Sequence, residues 1–399
     1  MKILLISQYY YPENVVISKI MERLASFGHE VVVLTAKPNY GFDKILEEYK
    51  KIRYEEINGV KVHRIKIYPR KQSRTSIYYN YLSFFFRGKK AARRLNFEPD
   101  VVLSSSLSPV ISISPAIAFK KKHHVPLALQ LLDLWPESIT IARNISKKGF
   151  IYRLFAKWSR SIYAQCDDIY VSSPAFITYL KDELKLDVSN VKHIYQPSII
   201  ENSKVSPFIF KSGINIVYVG NISEVQKISY LLRLGDFFKE NQIRLHLVGM
   251  GSYTKTMKQE IAERQLEEVI IYHGPVPIEF ATRYFINADA LYLSLTNQGT
   301  VGKTIPSKLT TYMAFKKPII AMISGNGKEL LEKANGALIS DFSLESLKKT
   351  FADFLLLSNE AKDKMGQNNF EYYQQNISIE RVSREFEVSL TTLVNSKKR

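Results

Sequence analysis

The chain alternates between two kinds of apolar pattern. Lys2-Ile3-Leu4-Leu5-Ile6 is an unbroken apolar run of strand length; apolar residues then recur at helical spacing from about Val16 to Phe27, and Gly28-His29-Glu30 leads into Val31-Val32-Val33-Leu34. Strand, helix and strand in that order predict a βαβ unit. The rhythm continues through residues 60–65, 100–103, 126–130 and 168–172. Strands buried on both faces read as near-continuous apolar runs, so a parallel sheet flanked by helices is expected.

Around Gln196 to Ser212 the pattern lapses, and after Gly213 a second series begins, with strand-like runs at 214–220, 244–249, 269–272, 290–293 and 318–321. The expected fold is α/β, two Rossmann-like doubly wound domains in tandem: 1–199, 200–377, and a last amphipathic helix over 378–399 that packs back toward the first. Ligands of such sheets bind beyond the carboxyl ends of the strands, and a cleft between two facing sheets is the expected site.

Composition narrows the class. Of 399 residues 45% are apolar and 24% charged, ordinary for a globular chain. Cys166 is the only cysteine, which excludes an internal disulfide framework and suits a reducing compartment such as the cytosol. The seven histidines are scattered, so no metal site is expected. The apolar start of the chain reads as a strand and not as a secretory leader. Residues 101–119 are rich in serine and broken by Pro109 and Pro115, which argues against a membrane span. Net charge is +18, and residues 51–160 hold 22 Lys/Arg against 6 Asp/Glu. So basic a half attracts nucleic acid, an anionic membrane or a phosphorylated substrate.

The stretch 299–321, GTVGKTIPSKLTTYMAFKKPIIA, selects among these. Pro306 suits the first turn of a helix running to about Phe315, whose free N–H groups, with Ser307 and Lys308, would favour an anion. Gly299 and Gly302 allow close backbone approach before it. Upstream, Gly220-Asn221 and Gly249-Met250-Gly251 each turn out of a strand, and Gln226-Lys227 follow the first. Converging on one strand-end face, these loops would hold a diphosphate. The competing reading makes the glycines ordinary turn residues and Lys308 a solvated charge.

The ordered set VYVGNI, HLVGMGS, HGPV, ADALYLSL and PSKLTTYMAFKKPIIA, with QYYYPE, FGHEVVVLTAKPNYG, PDVVLSSS and LLDLWPES before it, resembles glycosyltransferase family 4 of the GT-B fold. The likeness runs from Met1 to about Asn376 and is greatest to bacterial O-antigen and capsule enzymes that include N-acetyl-fucosaminyl transferases. It implies a retaining, metal-independent transfer of a sugar from a nucleotide donor, usually UDP-linked, with no further cofactor. By that resemblance Gly220 belongs to the phosphate turn, where Asn221 stands in place of the frequent arginine. Gln226 and Lys227 share the place of a phosphate lysine. Gly274 and Val276 fall where backbone groups read the base. Lys303 and Thr311 occupy the positions of two glutamates, and a threonine can make one hydrogen bond where a carboxylate would hold both ribose hydroxyls.

In the first domain LLDLWPES follows a strand, which puts Asp133 and Glu137 at the cleft; Leu132 stands where the family often has histidine. Asp133 is the candidate proton acceptor and Glu137 the second choice. The alternatives are an N-cap for Asp133 and a surface first-turn carboxylate for Glu137. Residues 78–95, YYNYLSFFFRGKKAARRL, set aromatic rings beside Arg87, Lys89, Lys90, Arg93 and Arg94, a pattern suited to an anionic membrane surface. A polyprenyl-diphosphate-linked glycan as acceptor, met by a peripheral enzyme at the inner face of the membrane, accounts for both. The alternative there is a core Phe84-Phe85-Phe86 with merely solvated charges. Two other functions stay open: a transferase-like subunit that has lost catalysis and supports a partner protein, and a UDP-sugar epimerase of the same fold. The phosphate loops speak against nucleic acid as the ligand.

Overall fold

The computed structural model describes the whole chain except residues 72, 108, 139, 141–145, 148, 201–204 and 399. It divides into two compact units, Met1–Ile199 with Ile379–Arg399, and Ile200–Ser378. The connecting residues 201–204 lie outside the described ones.

The N-terminal unit is built on eight strands: β1 (Lys2–Ser7), β2 (Glu30–Ala36), β3 (Tyr54–Ile57), β4 (Val60–Ile65), β5 (Val101–Ser106), β6 (Leu127–Leu131), β7 (Asp168–Val171) and β8 (Val191–His193). Their order is β3-β4-β2-β1-β5-β6-β7-β8, parallel throughout except for the β3–β4 pair. The chain leaves β1 toward β2 and β4 and then returns to β1's other side with β5, so the topological switch lies between β1 and β5. The apolar runs are apolar for the expected reason: β5 and β6 are buried at every position.

Helix Ile379–Lys398 packs across helix Val16–Ser26. Val382, Phe386, Leu390, Leu393 and Val394 join Ile17, Ile20, Met21 and Leu24 in one buried cluster. Each fully buried side chain of that size contributes about 1.5–3 kcal/mol of transfer free energy. Arg23–Glu380 (3.2 Å) and His29–Glu387 (2.8 Å) edge the contact, and Lys397–Asp167 (3.0 Å) ties the end of the last helix to the residue before β7.

The C-terminal unit carries β9 (Ile214–Val219), β10 (Ile243–Val248), β11 (Ile270–Gly274), β12 (Ala290–Ser294), β13 (Ile319–Met322) and β14 (Ala337–Ser340), ordered β11-β10-β9-β12-β13-β14 and all parallel. Its switch lies between β9 and β12. There the ladder is short, joining only Ile216 to Ala290 and Val217 to Leu291, whereas β9 stays paired with β10 as far as Val219. The two strands part beyond Val217 and leave a crevice at their carboxyl ends.

Candidate functional site

The residues that fill this crevice come from three loops. Gly220 follows β9 at φ 145° and Gly249 follows β10 at φ 131°. A Cβ on Gly249 would stand 2.0 Å from the Gly220 carbonyl oxygen, and one on Gly251 2.2 Å from the Ile222 carbonyl oxygen. These two glycines are therefore demanded by loop-on-loop packing, secured by Gly220 N–H to Val248 O (2.9 Å) and Ile222 N–H to Met250 O (3.1 Å). For Gly249 and Gly251 the turn reading describes the geometry, with close approach of backbone as its cause. Gly220 is different, because a Cβ there would meet the side chain of Lys308, 2.6 Å from Cε and 2.7 Å from Nζ.

Lys308 sits in helix Ser307–Met313. The helix is shorter than the expected 306–315, with Pro306 at the N-cap in an extended conformation, so Ser307 takes the first helical position. Seven residues make a weak dipole, and the anion-binding case passes from the helix terminus to the lysine itself. Tyr312 explains its placement. One turn after Lys308 on the same helix face, the Tyr312 hydroxyl accepts the Val219 N–H (2.9 Å) and donates to the Val219 carbonyl (3.3 Å). It takes over where the β12 ladder has ended and docks the helix on the tip of β9. The Lys308 ammonium then lies 3.6 Å from the centre of the Tyr218 ring, whose hydroxyl donates to the Asn221 carbonyl at 2.5 Å.

Among the described residues Lys308 has no carboxylate within ion-pair distance and no hydrogen-bond acceptor. The residue as a whole is half-buried, yet its ammonium is shut between a ring and a backbone, and that burial pushes its pKa well below the usual lysine value. It is not the solvated charge of the competing reading. The strand-end crevice thus holds a desolvated lysine that no carboxylate among the described residues neutralises.

The other expected donor residues take varied places. Gln226 and Lys227 end the short 3-10 turn Glu224–Gln226, tied to β12 by Ser294 Oγ to the Gln226 carbonyl and by Thr296 N–H to Val225 O (2.7 Å). The Gln226 amide oxygen accepts from Ser223 (2.5 Å), leaving Lys227, half-buried at φ 50°, the freer of the pair. Gly302 is buried in the 3-10 turn Val301–Lys303, its carbonyl held by Ser324 Oγ (2.7 Å). Lys303 is exposed. The Thr311 hydroxyl donates to the Ser307 carbonyl of its own helix (3.1 Å), so it retains only its lone pairs for a ligand, less than the donor-or-acceptor role expected of it. Gly274 closes β11 at φ 76° and its carbonyl accepts from Gly249; Val276 is half-buried just beyond.

In the N-terminal unit Asp133 is half-buried two residues past β6, beside Leu132, whose N–H bonds to the Ser106 carbonyl (3.1 Å) at the β1/β5 switch. A cavity of ≈ 40 Å³ lies there, lined among others by Ser7, Asn14, Ser105, Leu132 and Gln196. Glu137 is not the surface first-turn carboxylate of the alternative reading: it is 3% exposed and pairs with Lys147 at 2.8 Å. Glu13 went unnoticed as a chemical group in the sequence. Its buried carboxylate accepts the N–H groups of Asn39 (2.9 Å), Tyr40 (2.7 Å) and Tyr10 (3.2 Å), tying the loop after β1 to the loop after β2, and desolvation lifts its pKa to about 7. Of the phenylalanine triplet, Phe84 is core and Phe86 is 64% exposed. Among the described residues no cluster of three or more His, Cys, Asp or Glu could hold a metal ion, and no helix is long and apolar enough to cross a membrane.

Comparison with known proteins gives this arrangement its family. Residues 13–194 match the model of a glycosyl transferase 4-like domain and residues 200–372 that of glycosyl transferases group 1. The chain is 23% identical over 339 residues to the putative colanic acid biosynthesis glycosyl transferase WcaI of Escherichia coli K12, covering 79% of this chain and 81% of that one. It is 24% identical over 236 residues to the probable glycosyltransferase WbjE of Pseudomonas aeruginosa, covering 56% and 57% of the two chains. Among solved structures, Anabaena HepE in complex with UDP superposes with a TM-score of 0.69 at 13% identity, over 98% of this chain and all of that one. Sucrose-phosphate synthase of Thermosynechococcus elongatus gives 0.74 at 15% identity, over 99% and 100%. With both halves matched in order, the chain belongs to glycosyltransferase family 4, and it is a glycosyltransferase of the GT-B fold.

Proposed function

We propose that this glycosyltransferase moves a sugar, with retention and without a metal ion, from a UDP-sugar to a lipid-linked glycan during surface polysaccharide synthesis. The observation that carries the reading is Lys308, a desolvated cation at the β9/β12 switch without a counter-charge among the described residues. A diphosphate supplies that charge. As the sugar C1–O bond breaks, negative charge grows on the departing diphosphate, and a preorganised ammonium in a water-poor crevice stabilises it more than it stabilises the ground state. Lys227, in the loop that follows β9, is the second cation assigned to the diphosphate, and the absence of a Cβ at Gly220 leaves the space that the Lys308 side chain occupies against β9. Asp133 is the group assigned to take the proton of the acceptor hydroxyl; Glu137 is withdrawn from that role by Lys147.

UDP as the nucleotide is supported by the UDP complex of HepE, and polysaccharide synthesis by the name of the colanic acid biosynthesis relative. An anionic bilayer as the place of work is supported by two helices of the N-terminal unit. Tyr78, Tyr79, Leu82 and Phe86 stand exposed along helix Arg74–Arg94, ahead of Lys89, Lys90, Arg93 and Arg94. Phe150, Ile151 and Leu154 stand exposed on helix Phe150–Tyr163 beside Arg153 and Lys157. Rings and aliphatic tips next to cations match the headgroup boundary.

Calorimetric titration with UDP, GDP and ADP in the presence of a chelator tests the donor half. Selective UDP binding is the expected result. Binding of no nucleotide would sink the reading and favour the partner-dependent subunit, for which the committed Thr311 hydroxyl and the exposed Lys303 speak.

A further inference from the structure

A second concentration of unmatched charge lies in the N-terminal unit. At the carboxyl ends of β2 and β4 a cavity of ≈ 860 Å³ opens, and Ile65 apart, every residue lining it is cationic. Chain order assembles it. β2 runs out into Lys37, β4 ends with Arg64 and Ile65 before Lys66, and antiparallel β3 brings Arg53 opposite, its carbonyl accepting from Arg64 N–H at 2.9 Å. Helix Arg74–Arg94 adds Arg87 and Lys90 one turn apart, and the Arg87 guanidinium is fixed on the Lys66 carbonyl (2.8 Å). Gly88 between them lets the helix seat closely, since a Cβ there would stand 2.8 Å from Pro115 Cγ.

Carboxylates do not balance this gathering. Glu55 serves Arg64 and Glu47 serves Lys50. Among the described residues none lies within ion-pair distance of Lys37, Arg53, Lys66, Arg87 or Lys90. Lys37 is the telling member: only 5% exposed, its ammonium is met by one carbonyl oxygen, that of Lys50. Burial first, and then the fields of Arg53, Lys66 and Arg64, push its pKa down. Like charges converging on one concavity raise the free energy of the fold unless an anion joins them.

We propose that this cavity binds a diphosphate, and that the diphosphate is the anionic head of the acceptor's lipid carrier. The assignment rests on the lipid-linked acceptor proposed above. A groove of ≈ 350 Å³ lined by Phe85, Phe86, Lys89, Lys90, Arg93 and Arg94 shares Lys90 with the cavity, so an apolar tail has rings to follow from the anionic head. Four inter-strand spacings separate the end of β4 from that of β6, roughly 19 Å at about 4.8 Å each. A carrier held by its diphosphate therefore reaches Asp133 through its glycan and not through its lipid, which suits an enzyme that extends a chain.

The test is titration of inorganic diphosphate into the full chain saturated with UDP, and separately into Lys308→Ala without nucleotide. Both are expected to show the site, and the double variant Arg53→Gln/Lys66→Gln to bind about tenfold or more weakly, as loss of charge-assisted hydrogen bonds implies. Both residues are exposed, so UDP affinity of the double variant serves as the control for an intact fold and is expected unchanged. Phosphatidylcholine vesicles carrying a short polyprenyl diphosphate should retain the wild type and lose the double variant. Equal losses on vesicles carrying phosphatidylglycerol would overturn the proposal in favour of an unselective membrane patch. So would diphosphate binding that is absent, or indifferent to the double substitution, even with UDP bound normally. Intact diphosphate binding in a chain that fails to bind UDP would sustain the cavity and refute the donor site instead.

Discussion

Replacing Lys308 by Met separates a functional cation from a structural one. The side chains are similar in volume and both cover Tyr218, so the substitution deletes little beyond the charge. In the ligand-free protein the charge is a burden: its folded pKa lies below that of the unfolded chain, so the unfolded state holds the proton more readily and stability rises with pH between the two values. Against this stands the ammonium–ring contact at 3.6 Å, worth about 0.5–2 kcal/mol. The two offset, and the melting temperature of Lys308→Met is expected to stay within about 3 °C of wild type or to rise. With UDP the balance reverses. A charge-assisted contact to the diphosphate is worth about 2–3 kcal/mol after allowance for a half-buried residue, a loss of about 30- to 150-fold in UDP affinity. Turnover should fall by a further factor of about a hundred, since charge on the leaving diphosphate grows in the transition state. Calorimetry for affinity, thermal unfolding without ligand and single-turnover kinetics read the three quantities. A variant that binds UDP as wild type does, or one that loses affinity only by unfolding, would refute the assignment.

Three further outcomes are expected. Tyr312→Phe strands the Val219 N–H and unpins the helix carrying Lys308; it should cost about 1–3 kcal/mol in thermal unfolding and weaken UDP binding as well, whereas a stability loss alone would deny the link to Lys308. Asp133→Asn should lower the rate of the chemical step by about 10²–10⁴ with UDP affinity intact, and a purely thermal defect would make Asp133 structural. Glu13 titrates near 7 in the fold, above its unfolded value, so the folded state holds the extra proton and stability is lost as pH rises from about 5 to 8, by up to about 3 kcal/mol; Glu13→Gln should flatten that slope, and an unchanged slope would show the carboxyl to be ionised throughout.

Strands with two covered faces were legible in the sequence, and the ones that escaped share a physical cause. β3, β8 and β14 carry none of the apolar runs noted in the sequence, and each is an edge strand. β3 alternates exposed and half-buried positions, and β14 is half-buried at three of its four. An edge strand covered on fewer sides has no need of an unbroken apolar run. The helix end at Pro306 moved by one residue for a similar local reason, since an N-cap and a first turn accept proline almost equally.

What the sequence by itself determined is therefore the part written in nearest neighbours: the βαβ rhythm, the family motifs and the residue types at the ends of strands. Tertiary structure alone decided which of those residues are charged without relief. Glu137 and Lys308 look alike in the sequence, each a charge near the start of a helix. The fold gives Glu137 a lysine ten residues away and sets Lys308, with no carboxylate partner among the described residues, against an aromatic ring and a glycine backbone about ninety residues upstream. The eight cations of the N-terminal cavity come from the end of β2, the segment leading into β3, the end of β4 and a long helix, and only the fold brings them to one place. Counter-charge is a property of distance in space, so the sequence could name the cations while the fold settled which of them still need an anion.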